Sequence, residues 1–280
     1  MDGMGAIVGD GVIGFRVWAP HADEVHVVGD FNGWDEDATP MASEDNGLWY
    51  AEVPGAHPGQ EYKFLLRVGE DRFHRVDPQA RQVTNSVGNG VIYDPWAFEW
   101  QGAEFSMPAH NESVIYEFHV GSFARDPDGR PGDLYRAAER LDHLVDLGVN
   151  VVQLMPVAEF AGDQSWGYNP AHVFAVESSY GGPDALKTFV REAHRRGIAV
   201  IVDVVYNHFG PSDLATWQFD GWSEDGKGGI YFYNDWRSAT PWGDTRPDYG
   251  RGEVRQFIHD NALMWLREYR VDGLRYDMTP

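Results

Sequence analysis

IAVIVDVVYNH, residues 198–208, is a nearly continuous aliphatic run interrupted by one carboxylate, Asp203. Such a run is typical of a strand that is buried on both faces of a parallel sheet. An unpaired charge there is costly, so Asp203 must have a partner or face a polar site. Because side chains alternate along a strand, Asp203 and Asn207 share one face. His208 follows where the strand opens into a loop.

A second stretch, VDGLRYD at residues 271–277, also reads as a short strand. Its alternation places Arg275 and Asp277 on one face. A guanidinium beside a carboxylate favours the charged form, and an anionic aspartate is what a carboxylate nucleophile requires. Taken alone, the heptapeptide is explained as well by a structural ion pair. Two parallel strands that each end in polar groups are typical of the C-terminal rim of a (β/α) barrel.

The segments between these strands extend the β/α pattern upstream. Strands are predicted near 114–120, 149–155, 198–205 and 271–277. Helices are predicted over 134–147, 184–196 and 253–269, each with an apolar stripe of helical period. In the first helix Val145 belongs to that stripe, Asp133 is the expected N-cap and Gly148 the C-terminal stop. Residues 157–183 are predicted to be a loop.

Four strands are half of the eight that a (β/α)8 barrel needs. We therefore expect residues 106–280 to be the N-terminal half of such a barrel, and the chain to be a truncated piece of a longer protein. An open half barrel leaves a strand edge and apolar faces uncovered. We expect self-association, or local disorder around residues 271–280.

The first 105 residues predict a different architecture, an all-β sandwich. The candidate strands are short, rich in β-branched and aromatic residues, and separated by Gly, Pro, Asn and Asp. They are 12–18, 24–28, 48–53, 61–68, 72–76 and 90–93. Residues 94–108 are predicted to link the sandwich to the barrel.

Composition excludes several classes of partner. The 280 residues carry 22 Lys and Arg against 44 Asp and Glu, a net charge of −22. This argues against nucleic acid, whose phosphates require a basic face, and against an anionic membrane. There is no cysteine, so there is no thiolate metal site. No signal peptide or bilayer-length apolar run is recognised. We expect a cytoplasmic protein without metal or other cofactor.

DVVYNH (203–208) and GLRYD (273–277) resemble the first and second signature regions of the α-amylase superfamily, glycoside hydrolase family 13. These are retaining glycosidases and transglycosidases of α-glucans. The resemblance implies that Asp277 is the nucleophile and that Arg275 accompanies it. It also implies that Asp203 and His208 contact the sugar at the cleaved bond, with Asn207 beside them.

Residues 166–170, WGYNP, resemble the segment that carries a stacking tyrosine in this superfamily. Tyr168 is thereby expected to stack on the sugar ring, with Trp166 as a further substrate contact. A loop aromatic that only packs against the barrel would look the same. The long stretch 209–252 is unusually aromatic, and we expect most of its rings to form the loop's own core and the rest to line a glucan groove.

VWAP (17–20), GDFNGWD (29–35) and GLWYAEVPGAHPGQEYKFLL (47–66) resemble the carbohydrate-binding module that precedes the barrel in glycogen branching enzymes. Related modules hold sugar with two Trp, a Lys and an Asn. Trp34 and Lys63 match two of these positions. Phe73 replaces the second Trp, and Gly90 lies near the Asn position with Asn89 adjacent. A packing domain that shapes the barrel entrance is an equal alternative.

The resemblance implies a 1,4-α-glucan branching enzyme that acts on glycogen, starch or malto-oligosaccharides. LMPV (154–157) and DVVYNHFGP (203–211) also resemble the trehalose-releasing hydrolases of malto-oligosyltrehalose. An α-amylase or debranching enzyme is the third alternative, and a non-catalytic glucan-binding protein is an alternative of another class. The family's general acid has no counterpart in the chain. Glu117 and Glu159 are the nearest substitutes, and neither is expected to serve.

Overall fold

The computed structural model describes residues 1–102, 105–125 and 128–279. Its N-terminal part is a pair of antiparallel sheets. The first sheet has the order β1-β2-β5-β4, and the second has the order β3-β6-β9-β8 with β7 also paired to β6. The strands are β1 Gly5–Gly9, β2 Val12–Trp18, β3 Glu24–Gly29, β4 Ala42–Ser43, β5 Leu48–Pro54, β6 Glu61–Val68, β7 Asp71–Arg75, β8 Gln82–Val83 and β9 Gly90–Val91.

The facing sides of the two sheets enclose an aromatic core. Phe15 of β2 and Tyr62 of β6 are fully buried, with ring centroids 5.0 Å apart. All six predicted strands are present, and β2 and β6 have the predicted bounds. β1, β4 and β8 were not predicted. β4 and β8 contain two residues each, too few to show a period of two.

Residues beyond the sandwich form a four-stranded parallel sheet in the order β10-β11-β14-β15. Its strands are β10 Ile115–Phe118, β11 Val151–Leu154, β14 Ala199–Val205 and β15 Gly273–Asp277. The helices are α1 Val120–Phe123, α2 Leu134–Ala138, α3 Leu141–Asp146, α4 Gly182–Arg195 and α5 Gly252–Arg267. The prediction of an N-terminal half of a (β/α)8 barrel after a β-sandwich is confirmed.

The predicted helix 134–147 is wrong in one respect, because it is broken into α2 and α3. Arg140 has φ −97° and ψ 0°, which is outside the α region, and its N–H bonds to the carbonyl of Ala137. Leu141 and Leu144 are buried, as the predicted apolar stripe requires, whereas Val145 of the same stripe is 43% exposed. Asp133 caps α2 as expected, accepting a bond from the N–H of Arg136.

The prediction that residues 157–183 are a loop is also wrong. This segment contains an antiparallel pair, β12 Ala158–Phe160 and β13 Pro170–Val176. Every residue of β13 is buried, so the strand shows no alternation of polar and apolar side chains. Its register with β12 is irregular. The pair lies under the rim of the barrel and holds the segment that carries Tyr168.

The sandwich packs tightly on the half barrel. The guanidinium of Arg75 donates to the carbonyls of Gln218 and Phe219, both at 2.7 Å. The fully buried Lys187 of α4 donates to the carbonyl of Pro95. Pro95 belongs to the predicted linker, residues 94–108, so Lys187 joins α4 to that linker. Residues 103–104 of the linker are outside the described residues. No helix in the described part of the chain is long and apolar enough to cross a bilayer.

Candidate active site

The two signature strands lie side by side in the parallel sheet. Asp203 of β14 is in register with Arg275 of β15, and Val205 is in register with Asp277. Because residues two apart on a strand share a face, Asp203, Arg275 and Asp277 all lie on the same side of the sheet. The register thus brings Asp203 next to Arg275, which lies 72 residues later in the chain. Asp277 follows Arg275 on the same strand.

One guanidinium nitrogen joins the two carboxylates. Nη1 of Arg275 donates to Oδ1 and Oδ2 of Asp203 at 3.0 and 2.9 Å, and to Oδ1 of Asp277 at 2.7 Å. The Asp203 side chain is fully buried, whereas that of Asp277 is 20% exposed. Asp277 is therefore the more exposed of the two carboxylates, and Arg275 links it to the buried Asp203.

Tyr168 completes the network from the loop that follows β12. Its hydroxyl donates to Oδ2 of Asp203 at 3.0 Å. Burial raises the pKa of Asp203, and the hydrogen bonds from Arg275 and Tyr168 oppose that rise. The bond to Asp203 raises the pKa of Arg275. The guanidinium therefore stays charged, and the two donors offset the cost of burying a carboxylate.

His208 lies at the same rim and is almost completely buried, at 1% exposure. Its Nδ1 is 3.3 Å from Nδ2 of Asn207, so Asn207 holds the imidazole in place. Its Nε2 is buried without a partner in hydrogen-bond geometry. Burial lowers the pKa of His208. A hydrogen bond with the backbone of Tyr168 and the charge of Asp277 oppose this, and the charge of Arg246 adds to it. A neutral imidazole with one unsatisfied nitrogen is suited to a sugar hydroxyl.

Trp166 does not join this group. It is 71% exposed and lines a cavity of about 480 Å³ with His119 and Tyr180. The cavity is shaped by His119, whose Nε2 is 2.8 Å from the Tyr180 hydroxyl and 2.7 Å from the Ser165 carbonyl. Trp166 is two residues from Tyr168 in the chain, but Tyr168 and the carboxylate network are not among the residues that line this cavity.

Among the described residues, neither candidate substitute for the general acid is in hydrogen-bond contact with Asp277. Glu117 on β10 accepts a bond from Nε2 of Gln153 at 3.0 Å, and its row of the sheet reaches β15 only at Gly273, three strands away. Glu159 is 1% exposed and accepts bonds from the N–H and hydroxyl of Ser178. That neither serves as the general acid remains a prediction.

The sandwich positions are only partly arranged for sugar. Trp34 is half-buried and its Nε1 donates to Asp30 at 2.9 Å. Lys63 pairs with Val28, and Phe73 pairs with Leu66 on the adjacent strand. Because Lys63 and Leu66 are an odd number of residues apart, Phe73 lies on the opposite face from Lys63. Phe73 packs against Gly221 of the barrel loop, so it cannot replace the second sugar-binding Trp beside Lys63.

Two groups were not predicted from the sequence. Trp242 stacks on His208 with ring centroids 4.2 Å apart and planes 11° apart. Arg246 lies close enough to His208 to influence its pKa. Trp242 was one of many aromatics in the loop, and nothing in its local pattern distinguishes it. Arg246 has no local signal, because its position depends on how the long loop folds back.

Comparison with known families decides the assignment. Residues 81–239 match the family described as "Alpha amylase, catalytic domain". The chain belongs to the alpha-amylase family. Residues 3–97 match "Carbohydrate-binding module 48 (Isoamylase N-terminal domain)", in agreement with the two sheets that precede the parallel strands.

Alpha-amylase family relatives align along nearly the whole chain. It is 38% identical over 280 residues to a 1,4-alpha-glucan branching enzyme GlgB of Pseudoalteromonas atlantica, covering 94% of this chain and 37% of the relative. It is 37% identical over 286 residues to a 1,4-alpha-glucan branching enzyme GlgB of Corynebacterium jeikeium, covering 98% of this chain and 38% of the relative. The chain thus spans well under half the length of these relatives.

Solved alpha-amylase family structures share the architecture. A putative alpha amylase from Salmonella typhimurium superposes with a TM-score of 0.85 at 33% identity, covering 99% of this chain and 44% of that one. A pullulanase from Paenibacillus barengoltzii, in complex with maltohexaose and alpha-cyclodextrin, superposes with a TM-score of 0.83 at 28% identity, covering 99% and 48%.

Proposed function

We propose that this chain carries the nucleophile side of a retaining α-glucan site, and that the activity is that of a 1,4-α-glucan branching enzyme. The observation that supports it most directly is the Asp203–Arg275–Asp277 network, with Asp277 as its more exposed carboxylate. The alignment with branching enzymes at 37–38% identity supports the choice of reaction. The substrate is then an α-1,4-glucan such as glycogen, starch or a malto-oligosaccharide.

The chemistry follows from two carboxyl groups acting in turn. A carboxylate oxygen of Asp277 bonds to the anomeric carbon of an α-1,4-linked glucose, while the bond from that carbon to the 4-oxygen of the next glucose breaks. A general acid protonates the departing oxygen. The 6-hydroxyl of an acceptor chain, deprotonated by the same group, then displaces Asp277 and forms an α-1,6 linkage. With water as acceptor the outcome is hydrolysis.

Each remaining group has one role in this proposal. Arg275 orients Asp277 through its 2.7 Å hydrogen bond to Oδ1. Asp203 and His208 accept or donate bonds at glucose hydroxyls, Asn207 positions His208, and Tyr168 stacks on the ring. Trp166 contacts the chain further along, in the cavity that it lines. No described carboxyl other than Asp203 lies beside Asp277, and Asp203 is bound by Arg275 and Tyr168.

We also propose the boundaries and setting of the protein. Residues 1–105 form the carbohydrate-binding-like unit and residues 106–280 the barrel unit, with Trp34 and Lys63 as contacts of the former to glucan. A branching reaction on glycogen corresponds to a cytoplasmic protein. No metal or cofactor has a part in the proposed steps.

Covalent labelling tests the nucleophile directly. A 5-fluoro-α-glucosyl fluoride has a leaving group that needs no protonation, so it reports on Asp277 without the general acid. We expect intact-protein mass spectrometry to show one added fluoroglucosyl group, with peptide mapping to Asp277. Asp277→Asn should abolish the label. Labelling of another residue, or equal labelling of Asp277→Asn, would contradict the proposal.

A non-catalytic glucan-binding protein is the second candidate, favoured by the match of residues 3–97 to a carbohydrate-binding module. Co-sedimentation with glycogen separates the two. Retention lost in Trp34→Ala and unchanged in Asp277→Ala, together with no covalent label, would favour binding alone. Labelling at Asp277 would favour the enzyme.

A further inference from the structure

The loop between β14 and α5 holds one cation that is not in an ion pair. Residues 209–252 contain four basic side chains. Lys227 pairs with Asp244, Arg237 with Asp235 and Arg251 with Asp248. Arg246, in this fully described segment, has no carboxylate partner, and its Nε is buried without a hydrogen bond. A half-buried guanidinium without partners is costly unless a ligand or solvent satisfies it.

The backbone around Arg246 is held firmly against the end of β14. The hydroxyl of Thr245 donates to the carbonyl of Phe209 at 2.6 Å, and the N–H of Phe209 donates to the carbonyl of Thr245 at 3.1 Å. The N–H of Tyr233 donates to the carbonyl of Arg246 at 3.1 Å. Because Phe209 follows His208 directly, these bonds place Arg246 at the rim where Asp277 lies.

Trp242, four residues before Arg246 in the chain, is also positioned by backbone hydrogen bonds. It sits in a tight turn in which Thr240 and Gly243 bond to each other in both directions. One face of its ring is stacked on His208 at 4.2 Å. The residue is nonetheless 38% exposed, so the rest of the ring is open to solvent next to the carboxylate rim.

We propose that Trp242 and Arg246 form a sugar subsite beside the cleavage position, which accepts a further glucose unit of an α-1,4-glucan. The open surface of Trp242 contacts the apolar face of the ring, and Arg246 donates to its hydroxyls. An aromatic surface with a few placed donors is the usual composition of a small-ligand site. This inference rests on the proposed function, and it adds two specificity-determining residues to it.

The charge of the surroundings favours a neutral sugar over an anion. The chain has a net charge of −22, and within residues 209–252 seven acidic side chains outnumber four basic ones. Such a field repels phosphorylated sugars, whereas hydroxyl groups carry no charge. A guanidinium presents several donors in one plane, which suits neighbouring hydroxyls on a ring.

Calorimetric titration of the 280-residue chain with maltoheptaose tests the subsite. We expect Arg246→Met to weaken binding roughly tenfold, and Trp242→Leu to weaken it by a similar factor. Arg246→Lys should restore part of the loss. Arg237→Met, which removes a surface cation of the same loop, should bind as the unaltered protein does. Circular dichroism and thermal melts verify that each variant is folded.

Other outcomes would overturn the inference, and each is distinguishable from failure of the proposed function. Suppose that Arg246→Met and Arg237→Met both bind maltoheptaose as the unaltered protein does, while Asp203→Asn binds it weakly. The proposed Trp242–Arg246 subsite is then wrong, and the proposed cleavage site around Asp277 is unaffected. If Arg246→Met loses glucose 1-phosphate binding but keeps maltoheptaose binding, Arg246 recognises an anion. If the fluoride reagent fails to label Asp277, the proposed function itself falls, whatever the titrations show.

Discussion

At the scale of the residue, Arg275 binds two carboxylates at once through a single nitrogen. Its Nη1 contacts both Asp203 and Asp277 within 3.0 Å. Asp203 is fully buried, and burial already raises its pKa. Without the guanidinium, Tyr168 would be the remaining side-chain donor to Asp203. The ion pair with Arg275 therefore offsets the burial of Asp203 and also fixes the position of Asp277.

Arg275→Met should destabilise the protein in a pH-dependent way. The change raises the pKa of Asp203 further, and a carboxyl whose folded pKa is raised loses stability as pH rises above its unfolded value near ~3.9. Because the Arg275 side chain is 41% exposed, we discount the usual cost of a charged hydrogen bond to about 1–2 kcal/mol at pH 7. Urea unfolding at pH 4 and pH 7 measures it. A pH-independent loss would contradict this, and Arg237→Met is the control.

Glu159 and Glu177 form a second buried carboxyl pair, behind the site. Glu159 is 1% exposed and Glu177 is fully buried. Burial raises the pKa of Glu159, and the neighbouring Glu177 raises it further. Between the unfolded pKa and this raised value the folded state holds more protons, so stability falls as pH rises.

Glu159→Gln should reduce that dependence, because an amide keeps an acceptor for the N–H of Ser178 and carries no charge. Glu177, whose pKa burial also raises, still contributes. We expect the variant to be more stable than the unaltered protein at pH 8, by on the order of 2 kcal/mol, and to approach it at pH 4. Thermal melts between pH 4 and 8 provide the measurement. The exposed Glu139→Gln serves as control, and parallel pH curves for Glu159→Gln and the unaltered protein would refute the explanation.

At the scale of the element, α3 ends through a backbone conformation that favours glycine. Gly148 has φ 79°, and the N–H of Val149 bonds to the carbonyl of Leu144 at 3.0 Å. This is the pattern of a helix that terminates on a left-handed residue. A Cβ at position 148 would meet no atom within 4 Å, so only the backbone conformation opposes a side chain there.

Gly148→Ala should therefore cost about 1 kcal/mol of unfolding free energy. Gly148→Asn should cost less, because asparagine tolerates the left-handed region. At Gly252, which begins α5, a Cβ also meets no atom and the φ is ordinary, so Gly252→Ala is a matched control without this cost. Denaturant unfolding of the three variants measures the difference. An equal effect at both positions would show that φ is not the cause.

At the scale of the whole molecule, the parallel sheet has two outer strands, each paired on one side among the described residues. β10 exposes Ile115 at 52% and Tyr116 at 37%, and β15 exposes Tyr276 at 50%. Unpaired edges with apolar side chains are templates for association.

The 280-residue chain should therefore self-associate, or open locally at residues 271–279. Sedimentation velocity over a concentration series should show a growing dimer or larger species, and hydrogen exchange should reveal opening of β15. Ile115→Lys should reduce association, whereas Val87→Lys, at a more exposed site of the sandwich (67% against 52%), should not. A cooperatively melting monomer at every concentration would contradict this expectation.

Sequence alone determined the parts of this protein that depend on short-range periodicity. Alternation along IAVIVDVVYNH and VDGLRYD placed Asp203, Arg275 and Asp277 on common faces, because a strand has a period of two wherever it occurs. The apolar stripes of α4 and α5 were equally local. The family was recognisable from the same residues, since the motifs are contiguous in the chain.

Only the tertiary structure decided the features that depend on distant contacts. The break at Arg140, the buried pair β12–β13 and the facing of Phe73 toward Gly221 have no local pattern. Trp242 reaches His208, and Arg246 reaches the rim, because Thr245 binds Phe209 across 36 residues. A loop's path is set by such long-range bonds, whereas a strand's faces are set by its own backbone.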